Sequence, residues 1–275
     1  MASNDSTGRL TRAMRNEHGA TSRTRTTTIV PRKVDVLSDL QWEESIAAVK
    51  MAPLSTDFEA YREAIVDGAF AQSSFRTRWR YASFFIKWFL PGMSLSAPVV
   101  TAWRAFRDEV TLQHVMRWQY VSSNPLVAGL VDGPLAAATP GYPVDELIDT
   151  YLINSVGSVN PKNRSRLRTH LRKIGLLLEQ KKVFYRIVPE VSPRAIAVLL
   201  AHLFAPEPQV VSWSTLVADP WWKRLGIVDE NMLREKLTET AEAGLIARLV
   251  RMDTLDQVST RYSLADFDAG KVINR

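Results

Sequence analysis

"APVVTAWRAFRDEVTLQHVMRWQYV", residues 97–121, carries apolar side chains three and four apart around most of a helical circumference. A helix apolar on nearly every side must have neighbours on every side, so this segment predicts one long helix at the centre of a bundle. The flanking sequence agrees. "DLQWEESIAAVKMA" (39–52) and "STDFEAYREAIVDGAF" (55–70) repeat the helical spacing, with Ser55 as the expected N-cap of the second. "SSFRTRWRYASFFIKWFL" (73–90) continues it up to Pro91. "PLVAGLVDG" (125–133) reads as a short helix stopped at Gly133-Pro134, and "VDELIDTYLINSV" (144–156) as another.

Beyond Pro189 the texture changes. "SPRAIAVLLAHLF" (192–204) is helical, "SWSTLVADPWWKRLGI" (212–227) a short helix or helix–turn, and "ENMLREKLTETAEA" (230–243) a helix capped by Asp229. "LIARLVRM" (245–252) and "QVSTRYSL" (257–264) read as paired strands. The expected fold is mainly α: a helical bundle domain with a C-terminal winged-helix-like α+β domain. The divisions expected are a mobile basic arm over 1–33, a helical DNA-binding domain over 34–205 and the winged-helix-like domain over 206–275.

Charge is distributed unevenly. The formal net charge is +6, but residues 1–34 hold +5, 35–149 hold −5, 150–187 hold +8 and 188–275 hold −2. Positive charge concentrated in a tail and one internal block is the footprint of a polyanion binder. The arm ("ATSRTRTTTIVPRK", 20–33) has too few large apolar side chains to offset its ordering entropy. The internal block centres on "NPKNRSRLRTHLRKIGLL" (160–177), with six Lys or Arg and no carboxylate. As a helix it sets Leu167, Leu171, Ile174 and Leu178 in one stripe, and its remaining face is basic or hydroxylic. With no acid on that helix to pair at i,i+4, something else must neutralise it.

The expected DNA-binding residues are Arg164, Ser165, Arg166, Arg168, Thr169, Arg172 and Lys173, contacting phosphates. Five or six phosphates neutralised would give a log–log salt slope of about −4 to −5. Arg76, Arg78 and Arg80 are expected to flank that face. Arg alternating with Phe75, Trp79 and Tyr81 could stack on unpaired bases, but Phe75, Trp79, Ile86 and Phe89 recur at helical spacing, which reads as core. The helix 230–243 carries Glu230, Glu235, Glu239 and Glu242 against Arg234 and Lys236. It suits a protein partner better than a major groove, the alternative being contact through Arg248, Arg251 and Arg261 on the strands.

Other function classes find little support. There are no cysteines, so disulfides, thiol catalysis and thiolate metal sites are excluded. The four histidines lie far apart in the chain with no metalloprotease or deaminase spacing, His114 reads as a core residue, and no phosphate-loop motif is present. No enzymatic activity, cofactor or metal is expected. The most apolar stretch, "YASFFIKWFLPGMSLSAPVV" (81–100), is broken by Lys87, Pro91 and Gly92, so no membrane insertion and a cytoplasmic location are expected.

Taken together, "FRTRWRYASFFIKWFL", "NPLVAGLVDGPL", "KNRSRLRTHLRKIGLLLEQKKVF" and "VPEVSPRAIAVLLAHLF" resemble the BrxA family of bacterial BREX bacteriophage-exclusion systems, small helical proteins formerly labelled putative inner-membrane proteins. By position Arg164, Arg166 and Leu167 fall on the family's Arg-x-Lys-Leu. The family closes that helix with Ala-Gly-Tyr-Leu, whereas Leu178-Glu179-Gln180-Lys181 supplies no glycine stop. The resemblance implies a helical, DNA-binding protein. The first expectation is a non-catalytic, BrxA-like component of antiviral defense that binds double-stranded DNA beside other phage-defence proteins. The alternative is a protein–protein adaptor whose basic helix and acidic winged-helix domain dock other subunits of a defence complex.

Overall fold

A computed structural model describes residues 37–55, 57–252 and 255–272; the basic arm expected over 1–33 lies outside the described residues. The first helices are α1 (Trp42–Met51), α2 (Phe58–Gly68) and α3 (Phe75–Phe89). The N-cap of α2 is Asp57 rather than Ser55: its carboxylate accepts from the Ala60 N–H at 2.9 Å. An aspartate three residues ahead of that N–H is the stronger cap.

The central helix expected over 97–121 is two helices, α4 (Pro98–Phe106) and α5 (Glu109–Ser122). Arg107 turns left-handed (φ 50°), and the Asp108 side chain accepts from the N–H groups of Val110 and Thr111, both at 3.2 Å. A carboxylate that satisfies the first backbone donors starts a new helix there. The centrality stands: α5 is buried from Leu112 to Val121 except at Gln113, and it packs on α3, α4 and downstream helices. His114 is a core residue whose Nδ1 accepts from the Ser192 N–H at 3.0 Å.

Next come α6 (Pro125–Leu130) and a wide turn of helix over Val131–Leu135 that runs through Pro134, so Gly133-Pro134 does not stop the helix. Then follow α7 (Asp145–Val156), α8 (Pro161–Lys173) and an antiparallel hairpin, β1 (Leu177–Gln180) with β2 (Val183–Arg186). This hairpin was not expected. The Ile174–Gly175 end of α8 is a Schellman motif, with Gly175 at φ +76°, its N–H on the Arg172 carbonyl and the Leu176 N–H on the Leu171 carbonyl. Gly175 is therefore the stop that Leu178–Lys181 did not supply. Leu178 leaves the apolar stripe and is 44% exposed, while Leu167, Leu171 and Ile174 are buried.

The remaining elements are α9 (Pro193–Leu203), β3 (Val210–Ser212), α10 (Trp213–Ala218), a 3-10 turn at Pro220–Leu225, α11 (Glu230–Glu242), β4 (Ile246–Met252), β5 (Leu255–Thr260) and α12 (Leu264–Asp268). The second sheet has the antiparallel order β3-β5-β4. The expected strand end at "YSL" is instead the start of α12, closed by a Ser263–Asp266 capping box. α9 packs on α4 and α5 on one side and on α11 on another. The chain is mainly helical with two small antiparallel sheets. Among the described residues no helix is long and apolar enough to cross a membrane.

Candidate nucleic-acid interface

α8 begins where Asn160 accepts from the Lys162 N–H at 2.9 Å, with Pro161 at its first position. Its arginines are engaged from across the fold. Arg164 pairs with Asp149 at 2.8 Å and Arg168 with Asp145 at 3.0 Å, both acids on α7. Arg166 pairs with Asp39 at 2.8 Å, and Arg172 with Glu179 of β1 at 2.7 Å. The neutralising partner that α8 lacks in its own sequence is thus supplied within the molecule.

Asn163, Arg166, His170 and Lys173 of α8 hold residues 37–40 as a strap. Asn163 Oδ1 accepts from the Leu37 N–H at 3.0 Å, and Arg166 also donates to the Leu37 carbonyl. His170 Nε2 accepts from the Leu40 N–H at 3.2 Å, and Lys173 Nζ donates to the Leu40 carbonyl at 2.6 Å. These four positions share one helix face. His170 Nδ1 lies 2.7 Å from the Tyr120 hydroxyl on α5. With Nε2 accepting, the ring is neutral and donates from Nδ1. Burial, reinforced by nearby Lys173, lowers its pKa to about 4. Both ring nitrogens are engaged, so His170 positions backbone rather than moving protons.

Between strap and helix lies an open cleft of about 490 Å³ lined by Gln41, Lys162, Ser165, Thr169 and Lys173, among others. Lys162 and Ser165 are exposed there. The hairpin that follows ends in Lys181 and Lys182, both exposed, both at positive φ (50° and 67°), and neither in an ion pair among the described residues. Over α8, its strap, α7's two facing acids and the hairpin, eight Lys or Arg that reach the surface meet four carboxylates: Asp39, Asp145, Asp149 and Glu179. The excess sits on Lys162, Lys173, Lys181 and Lys182. Ammonium groups and hydroxyls so placed can hold anionic oxygens.

On α3 the three predicted arginines separate. Arg78 donates to the carbonyls of Val66 at 2.9 Å and Gln72 at 3.1 Å and approaches Asp67, so it fastens the loop after α2. Arg76 and Arg80 are exposed and form no ion pair among the described residues. No described hydrogen bond or ion pair joins α3 to α8. Phe75 is 60% exposed and Trp79 38%, so they are not core; the buried face is Ala82, Phe85, Trp88 and Phe89. Seven aromatic residues cover well over half of this helix's circumference, so apolar spacing could be drawn on more than one face.

Sequence reasoning missed the strap, the lysine-tipped hairpin and the acidic partners. One signal was present: Asp145 and Asp149 are four apart, as are Arg164 and Arg168, which is the match that two antiparallel helices need. On α11, Arg234 pairs with Asp256 and lies 3.6 Å over the Trp213 ring, while Lys236 pairs with Glu239, leaving Glu230, Glu235 and Glu242 exposed. No protein-family model, no curated protein and no solved structure matches this chain.

Proposed function

We propose that the chain is a non-catalytic DNA-binding protein that holds duplex DNA through phosphate contacts, from the exposed edge of α8 and the β1–β2 tip. One observation carries this reading: the tip is Lys181-Lys182 in left-handed conformations. A two-residue antiparallel turn of that geometry favours Asn-Gly, and two lysines there cost about 1 kcal/mol each. Charge at the tip offsets that cost if a polyanion meets it.

The order helix (α7), four-residue turn, basic helix (α8), hairpin is compatible with a helix-turn-helix followed by a wing, and supports the reading. The order α9-β3-α10-α11-β4-β5 supports a second, winged-helix-like unit of opposite charge. A place in a phage-exclusion system, cytoplasmic and beside other defence proteins, rests on the sequence resemblance.

Because four arginines are in ion pairs, the four lysines outside them (Lys162, Lys173, Lys181 and Lys182) contribute, and the expected salt slope is about −3 to −4. The test is a mobility shift on random-sequence duplex across several salt concentrations. Absence of binding at low salt would favour the adaptor reading. What recommends that second reading is the exposed pair Glu235 and Glu242, about 20° apart round α11, on a helix whose cations are engaged.

A further inference from the structure

We infer that the outer face of α3 is a stacking platform for the unpaired bases of a single nucleic-acid strand, built on Phe75 and Trp79 and flanked by Arg76 and Arg80. It rests on the nucleic-acid reading above but uses none of the α8 or hairpin residues. On a helical projection from Phe75, the buried Ala82, Phe85, Trp88 and Phe89 occupy an arc of about 220° to 340°. Phe75, Trp79, Ser83, Arg76, Lys87 and Arg80 occupy about 0° to 140°, and all six are exposed.

The two outward rings stack, centroids 6.2 Å apart and planes at 26°. Arg62 of α2 places its guanidinium 4.0 Å from the Trp79 ring centroid. The Arg78 guanidinium lies 6.0 Å from the Phe75 ring centroid, and Phe75 is still 60% exposed, so it offers the larger free aromatic surface of the two. Arg76, Arg80 and Lys87 are without ion pairs among the described residues, and α3 contains no carboxylate. They are spread over roughly 16 Å of helix axis, the reach of a short strand. Aromatic faces beside a cationic track are what sequence-tolerant single-strand binding uses. A membrane-inserting wedge needs a broad apolar face free of cations, and here Arg76, Ser83 and Arg80 share the arc.

The experiment measures anisotropy of the full chain with three labelled probes: a twenty-nucleotide thymidine strand, an abasic strand of equal length, and random duplex. F75A/W79A should weaken the thymidine strand by about 10-fold or more and leave the abasic strand and duplex unchanged. R76A/R80A should flatten the salt slope on the thymidine strand by about 1.4, a readout that does not depend on the aromatic variant. Equal loss on the abasic strand, or no loss on the thymidine strand, overturns the platform. So does loss of binding to anionic phosphatidylserine vesicles in F75A/W79A with thymidine binding intact. Duplex binding absent while the F75A/W79A loss persists overturns the α8 reading and leaves the platform standing; the converse pattern does the reverse.

Discussion

Arg117 Nη1, in the buried middle of α5, donates to the carbonyl of Leu225 at 2.9 Å, while its Nε donates to the carbonyl of Ile174. One guanidinium thereby ties the central helix to the end of α8 and to the 3-10 turn before α11. It is 6% exposed with no carboxylate among its described partners, and burial lowers its pKa to about 10. The planar fork reaches two carbonyls that an ammonium cannot reach together. Arg117→Ala should cost about 3–4 kcal/mol, from two orphaned buried acceptors and a cavity. Arg117→Lys should fall between. Urea midpoints at constant m-value check this, and a loss below about 1 kcal/mol for the alanine variant would refute the staple.

Gly175 sits beside that guanidinium. It has φ +76°, and a Cβ added there would lie 2.9 Å from Arg117 Nη2. Gly175→Ala therefore combines left-handed strain with a collision against a fixed side chain, and about 2 kcal/mol of destabilisation is expected. Combined with Arg117→Ala, the collision part of that cost should vanish, so the double variant should be less than additive.

The core histidines set an acid limit. Burial lowers the pKa of His114 and of His170 to about 4, and burial also lowers that of His202. Unfolded, each takes a proton as pH falls through about 6.5; folded, His114 and His170 wait until about 4. The unfolded state binds more protons across that window, so stability is full above about pH 7 and declines as pH falls from 6.5 to 4. Each of the two contributes a loss of roughly 3 kcal/mol by the bottom of the window. Thermal midpoints from pH 7.5 to 4.5 should drop steeply in the native chain and less in His114→Gln. A flat profile would mean that the rings are not held neutral.

The helices were legible because burial imposes a 3.6-residue period, and α5 could be placed at the centre since Leu112 to Val121 is apolar around its circumference. The break at Arg107–Asp108 was masked by that same continuity. Charge was read less well, and the reason is physical: charge runs are linear, while neutralisation is spatial. Dividing the charge count after Asp149 separated Asp145 and Asp149 from Arg168 and Arg164, which antiparallel packing reunites at 3.0 and 2.8 Å. The hairpin escaped notice because Lys181-Lys182 is not a turn signature, and Phe75 and Trp79 because a helix with aromatic residues over most of its circumference does not declare its inner face.

Paired and unpaired cations should separate cleanly in experiment. Arg168 is paired with Asp145 and lies 5.1 Å from the Phe184 ring centroid, so Arg168→Ala should cost about 1 kcal/mol of stability and leave the duplex salt slope unchanged. The hairpin tip should behave in the opposite way. Lys181→Asn with Lys182→Gly relieves two left-handed lysines and should stabilise the fold by about 1–2 kcal/mol. It also removes two ammonium groups that form no ion pair among the described residues, so duplex affinity should fall and the log–log salt slope should shrink by about 1.8. Denaturation and salt-titrated mobility shifts on the same two variants decide the matter. A tip variant that is more stable yet binds duplex with an unaltered slope would show that the strained lysines serve something other than phosphate.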